Sequence, residues 1–262
     1  MNILCCFKIV NDLDAVIEQD WLNADRDGVD VSYAKRVVSC YDEGALECAL
    51  RVKDEAGNAG VNVRITAVTV GNGDYEVFFK NMFAVGIDRI TQISTDEELP
   101  FSPERTAERI AKYVSDDSYD AVLTGMQSAD GANGTTPYLL ADMLGMPCIN
   151  HVTTLHFTPR GLCVSFDTGW SRRSGTVSVP ALFAVGNSEC PYLRIATLRE
   201  KLGVSSMAAQ MVADSDGSVC GRREPCSLTR EKRSRNCVIL DGEDAGEKAG
   251  KLWADYLEGA GL

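Results

Sequence analysis

The sequence predicts an α/β fold: a doubly wound, mostly parallel sheet with helices on its faces, then an extended C-terminal arm and a terminal helix. Two features carry that expectation. Short apolar runs alternate with segments of helical periodicity, the pattern of a parallel sheet covered by helices. After residue 147 the texture changes to β segments joined by a turn, which adds a mixed edge to the sheet. At 262 residues the chain exceeds the usual single-domain size and holds material for a full core plus an appendage.

Residues 3–7 are a continuous apolar run that suits a central strand buried on both faces. Residues 42–52 then place Ala45, Leu46, Ala49 and Leu50 at helical spacing. A second strand is predicted over 64–70, ending in Gly71-Asn72-Gly73, and a helix over 75–85 with Val77, Phe78, Met82 and Phe83 as its core face. Residues 89–93 form the third strand. In 101–115, Ser102 is a suitable N-cap, Pro103 fits the first helical position, and Ala107, Ile110, Ala111 and Val114 make an apolar stripe. A strand at 121–123 leads to a helix over 138–144, which turns Leu139, Leu140, Met143 and Leu144 inward and stops at Gly145, with Pro147 beyond.

Residues 148–157 and 162–166 read as β segments around the turn Thr158-Pro159-Arg160-Gly161, and 177–185 as the last apolar strand. From 203 to 236 the pattern gives way to Ser, Asp and Gly with a basic stretch (Arg222, Arg223, Arg230, Lys232, Arg233, Arg235), read as an arm with a solvated face. A helix over 244–257 carries Ala245, Ala249, Leu252, Trp253 and Tyr256 on one side. No later element can cover that side, which points to a landing surface on another subunit. The expected division is an α/β domain over 1–202 and the arm and helix over 203–262.

Composition narrows the function classes. The chain is 45% hydrophobic and 24% charged, and no apolar run approaches the roughly 20 residues needed to cross a bilayer. A net charge of −12 disfavours general attraction to nucleic acid. The N-terminus lacks a basic leader and a small-residue cleavage site, so a cytoplasmic location and reduced thiols are expected for the ten cysteines. Cys5, Cys6, Cys163 and Cys237 sit in apolar contexts, no C-x-x-C pair occurs, and His151 and His156 are too few to suggest a metal site.

The most informative stretch is 123–137, which follows a predicted strand and opens a helix. That position is the crevice at a strand's carboxyl end, where open α/β sheets bind ligands. Gly131 and Gly134 allow close backbone approach, and Thr135 and Thr136 add hydroxyls at a helix N-terminus that favours anions. Two readings stay open here: a phosphate-binding turn, or a polar β-to-α turn with a threonine cap. There is no G-x-x-x-x-G-K-[ST] motif, and Gly71-Asn72-Gly73 is not continued by the third glycine of a dinucleotide fingerprint. No nucleophile elbow or cysteine–histidine pair advertises side-chain catalysis.

Five segments, 3–8, 39–47, 84–89, 125–137 and 191–198, resemble in order and spacing the β subunit of electron transfer flavoproteins, and the likeness covers roughly residues 1–202. The resemblance implies a nucleotide-binding domain of adenine nucleotide alpha-hydrolase-like (Rossmann-like) type that pairs with an α subunit holding FAD. In that family the β subunit holds AMP, or a second FAD in members that bifurcate electrons. Carried over by position, Cys6 would lie by the adenosine. Ser39, Cys40, Tyr41, Asp42, Val70 and Gly71 would line the pocket, and the loop with Gln127, Asp130, Gly131, Asn133, Gly134, Thr135 and Thr136 would wrap the phosphate. Residues 187–198 resemble the loop that docks on partner dehydrogenases, with Leu198 as its apolar anchor. The family's glutamine and glycine in the phosphate loop are replaced by Thr135 and Pro137, and its lysine-rich run after the docking loop by Lys201-Leu202-Gly203.

The resemblance therefore implies an electron-carrying subunit working between a dehydrogenase and an acceptor, with flavin doing the redox chemistry. Two alternatives stand beside it: a bifurcating subunit that oxidises NADH through its own FAD, and a stand-alone adenine-nucleotide-binding regulatory module.

Overall fold

The computed structural model describes residues 1–22, 28–95, 102–115, 117–213 and 237–258. The basic stretch from Arg222 to Arg235 lies outside them. A nine-stranded sheet organises the chain. Its middle is built by β1 (Asn2–Cys6), β4 (Arg64–Val70), β5 (Arg89–Ser94), β6 (Ala121–Gly125), β10 (Ala181–Val185) and the start of β7 (Cys148–Thr158), all paired in parallel. β8 (Gly161–Asp167) and β9 (Arg172–Val177) continue it antiparallel, and β11 (Gln210–Ala213) closes the other side by pairing parallel with β5. The resulting order is β11-β5-β4-β1-β6-β10-β7-β8-β9.

Strand periodicity sorts the core into two layers, because successive side chains leave opposite faces. Ile3, Cys5, Ile65, Ala67, Leu123 and Phe183 pack with α2 (Cys40–Asn58) and α3 (Glu76–Ala84). Leu4, Cys6, Val68, Val122 and Leu182 pack with α4 (Pro103–Val114) and α5 (Thr136–Met143). Helices on both faces make the sheet doubly wound, as the alternation predicted. The winding direction changes between β1 and β6, since β1 hydrogen-bonds β4 on one side and β6 on the other.

Several predicted details shift. Helix α2 runs further than 42–52, beginning behind Ser39 and ending at Asn58. In α3 the expected Phe78, Met82 and Phe83 pack on the core and are joined by Phe79 and Ala84, whereas Val77 is 73% exposed. Met143 is also exposed. The single strand expected over 177–185 is two: β9 ends at Val177, and β10 starts at Ala181 after the cis Val179–Pro180 peptide. Cys237 is exposed, while Cys5 and Cys6 are buried.

The arm is not wholly irregular. β11 shields the edge of β5 before residue 213. A two-stranded ribbon of β2 (Ile9–Asn11) and β3 (Arg36–Val38) precedes α2, with a short helix α1 (Glu18–Leu22) in the connection. Near the C-terminus α7 (Ala245–Leu252) is capped by Asp244, whose carboxylate accepts from the Glu247 amide, and passes into one wide turn (Trp253–Leu257). No residue of α7 is buried, and Leu252, Trp253 and Tyr256 are all exposed. Among the described residues no helix is long and apolar enough to cross a membrane.

Candidate functional site

A cleft opens at the carboxyl ends of β1, β4 and β6, over the point where the winding reverses, which is where ligands bind in open α/β sheets. Its walls come from the ends of three strands, from two helices and a loop, and from Asp42 at the start of α2. Cys6, Phe7 and Lys8 end β1, Val70 ends β4, and Thr124 and Gly125 end β6. Pro103, Thr106 and Ile110 of α4 form one side, and Thr136, Pro137 and Leu140 of α5 another. Gln127, Ser128, Asn133 and Gly134 come from the loop between β6 and α5.

Asp42, in the first turn of α2, ties the two central strands together. Its carboxylate accepts from the backbone amide of Lys8 (2.9 Å) and of Gly125 (2.8 Å). Burial pushes its pKa up to about 7, although both amide donors pull the other way. The junction leaves no room for a larger residue at 125: a Cβ there would lie 2.9 Å from both the Asp42 amide nitrogen and Tyr41 Cβ. Glycine is therefore needed for close approach of α2 to β6. Cys6 and Cys5 have thiol pKa values raised chiefly by burial, so neither is poised as a nucleophile.

The loop after β6 is held by its own polar groups and by Ser39, which precedes α2. Ser39 Oγ, fully buried, accepts from the Ala129 amide (3.3 Å), and Ala132 N donates to Ser128 O (3.1 Å). Asn133 Oδ1 accepts from both the amide and the hydroxyl of Thr135. Left-handed φ values at Ala132 (46°) and Gly134 (64°) turn the chain toward α5; glycine suits the second, and alanine adopts the first against its usual preference. Lys8 Nζ reaches across to Asp130 Oδ2 at 2.6 Å.

Of the residues expected from sequence, Cys6, Asp42, Val70, Gln127, Asn133, Gly134 and Thr136 line the cleft. The others stand behind or beside it. Ser39 and Thr135 brace the loop, Tyr41 packs against Gly125, and Gly131 N donates to Asp130 Oδ1. Gly71 O accepts from Gln92 Nε2, and Cys40 is exposed. Sequence reasoning passed over Lys8, Thr106, Thr124 and Gly125. Lys8 and Gly125 lay inside recognised segments and carried no assigned role, whereas Thr106 reaches the cleft only through the packing of α4.

The residues present fit an adenine nucleotide. Thr124 Oγ1 is buried with no hydrogen-bond partner, in a wall that also offers the apolar surfaces of Val70, Ile110 and Leu140. A buried hydroxyl left unpaired is costly, and a polar group of a bound ligand is one remedy.

The family model described as "Electron transfer flavoprotein domain" matches residues 29–190 of the chain. The chain belongs to the electron transfer flavoprotein domain family. A protein of Escherichia coli (strain K12) with the provisional name electron transfer flavoprotein subunit YgcR is 29% identical over 261 residues, covering 98% of both chains. The electron transfer flavoprotein subunit beta of Bacillus subtilis (strain 168) is 29% identical over 156 residues, 59% of this chain and 57% of that one.

The segment 187–198, which runs past the end of the matched electron transfer flavoprotein domain, is pinned to α2. Arg194 donates from its backbone and guanidinium to the buried carboxylate of Glu47, and Nη1 pairs with Asp54 Oδ2 at 2.8 Å. Those carboxylates raise the Arg194 pKa. Ser188 Oγ lies 3.6 Å from Cys48 Sγ on the same helix. Beyond this anchorage Tyr192, Ile195, Leu198 and Leu202 are exposed, Leu198 at 74%, where it starts α6 (Leu198–Gly203) behind a Thr197–Glu200 capping box. His156 pairs with Glu55 at 2.8 Å.

Proposed function

We propose that this chain is the β-type subunit of a two-chain electron transfer flavoprotein and that the cleft between β1 and β6 holds an adenine nucleotide, either AMP or the adenylate half of FAD. Membership of the family supplies the class, and the cleft at the winding reversal, floored by the unpaired Thr124 hydroxyl, carries the assignment of the site. The apolar walls from Val70, Ile110 and Leu140 suit a purine ring, and the loop from Gln127 to Thr136 is the natural bed for phosphate. Thr136 offers its amide and hydroxyl there, while Pro137 gives none, so side chains take a larger share of anion binding.

A flavin, when bound, supplies the electron-carrying chemistry; the protein positions the nucleotide and excludes water. Exposed Leu252, Trp253 and Tyr256 on the terminal helix suit burial against an α subunit, and the pinned loop with Leu198 suits brief docking of a dehydrogenase.

The deciding experiment is co-expression with the cognate large subunit, followed by acid release and chromatography of bound nucleotides. A stable heterodimer with one FAD and one AMP is the expected product, and two FAD would make the same cleft a flavin site. A heterodimer whose small chain carries no adenine compound would sink the assignment.

A further inference from the structure

The charge arrangement at the cleft mouth extends the nucleotide reading and rests on it. Lys8 is the one cation among the described residues that line the cleft. Its backbone is fixed, because the Lys8 amide donates to Asp42 Oδ2, so the side chain swings from an anchored base. The ammonium is engaged by Asp130, two residues beyond the cleft-lining Ser128 on the loop that follows β6.

Asp130 holds more than the lysine. Its Oδ1 accepts from the Gly131 amide at 2.8 Å, and the Ser128 side chain also hydrogen-bonds to it. An ammonium, a backbone amide in a glycine-containing turn and a hydroxyl form the donor set that recognises a phosphate. Here they converge on the chain's own carboxylate. The pair is partly open to solvent, with side-chain exposures of 36% and 29%, so exchange with an incoming anion needs no unfolding.

We infer that Asp130 is an internal stand-in for the nucleotide's phosphate, and that Lys8 exchanges the carboxylate for the phosphate when the ligand enters. The exchange makes Lys8 a specificity residue: it favours phosphorylated over unphosphorylated ligands, and Asp130 sets the threshold by competing for the same ammonium. Coulomb repulsion between Asp130 and the bound phosphate then makes the loop carboxylate a penalty on affinity.

The test uses the full chain stripped of endogenous nucleotide, with calorimetric titration of AMP and of adenosine at low salt. Asp130→Asn is expected to bind AMP roughly tenfold more tightly and Lys8→Met roughly tenfold more weakly, on the scale of one charge-assisted hydrogen bond. Adenosine affinity is expected to stay within about twofold in both, and it doubles as the check that each variant folds with an intact cleft. If Asp130→Asn weakens AMP as Lys8→Met does, the pair is a permanent clasp and the inference is overturned. Equal effects on AMP and adenosine, or no effect of either variant, overturn it as well while leaving the site in place. If the wild-type chain binds neither compound, the same titrations are made on the heterodimer, and a heterodimer that binds neither overturns both this exchange and the nucleotide reading beneath it.

Discussion

Asp42 has opposing demands that no surface aspartate faces. Two amides ask for its charge, and burial penalises that charge; burial prevails and lifts the pKa to about 7. Its folded pKa thus lies above the roughly 3.9 expected in the unfolded chain. The native state takes up the proton first, so Asp42 contributes stability that is full below the unfolded value and is lost as pH rises through about 7. Asp42→Asn lacks that dependence. The urea-derived stability of the wild type minus that of the variant should fall by about 2 kcal/mol from pH 5 to pH 8; a difference that is constant or grows with pH would show that Asp42 is ionised throughout. Asp42 was legible as a site residue only through a family pattern, because its role depends on two amides that the sequence keeps far apart. Lys8 shows the same limit. Its side chain gains meaning from Asp130, 122 positions later, and no local signal links them.

At the scale of elements, the helices and strands that were legible are those whose burial repeats with a clear period. β1, β4 and β6 announced themselves as apolar runs, and α4 by its proline and its stripe. β9 did not, since Arg172, Arg173 and Ser174 are polar and exposed and only the ladder to β8 makes them a strand. β11 was hidden for a related reason: four residues after a polar turn become a strand because β5 offers an open edge. The loop 187–198 had no secondary-structure signature at all, yet it is held firmly through Arg194. Arg194→Ala removes the bridge to Glu47 and Asp54, although Arg51 still partners Glu47, so a loss of about 1–2 kcal/mol is expected. Chymotrypsin should then cut faster near Tyr192 and Leu198. Unchanged cleavage and an unchanged urea midpoint would mean that other contacts hold the loop.

For the whole molecule, the α/β class followed from alternation alone and the turn after β6 was legible as one wall of the cleft, while the part played by α4 required the packing of the elements, which the sequence did not display. The exposed terminal helix carries a separate consequence for assembly. Trp253 is 56% exposed in a turn with no buried residue, so Trp253→Ala should leave the melting of the isolated chain within about 0.5 kcal/mol of wild type. Its affinity for the large subunit should drop by tenfold or more, read by analytical ultracentrifugation. Retained affinity would move the subunit contact elsewhere. Helix α2 finally joins two places that look unrelated on the surface. Its first turn holds the seam between the central strands, and Glu47 and Asp54 further along it moor the loop that displays Leu198. Nineteen residues make a rod of about 28 Å, and a rod transmits a tilt undiminished from end to end. A ligand in the proposed nucleotide cleft and a partner on the proposed docking loop would therefore bear on one rod, at points between Asp42 and Asp54 about 18 Å apart along its axis.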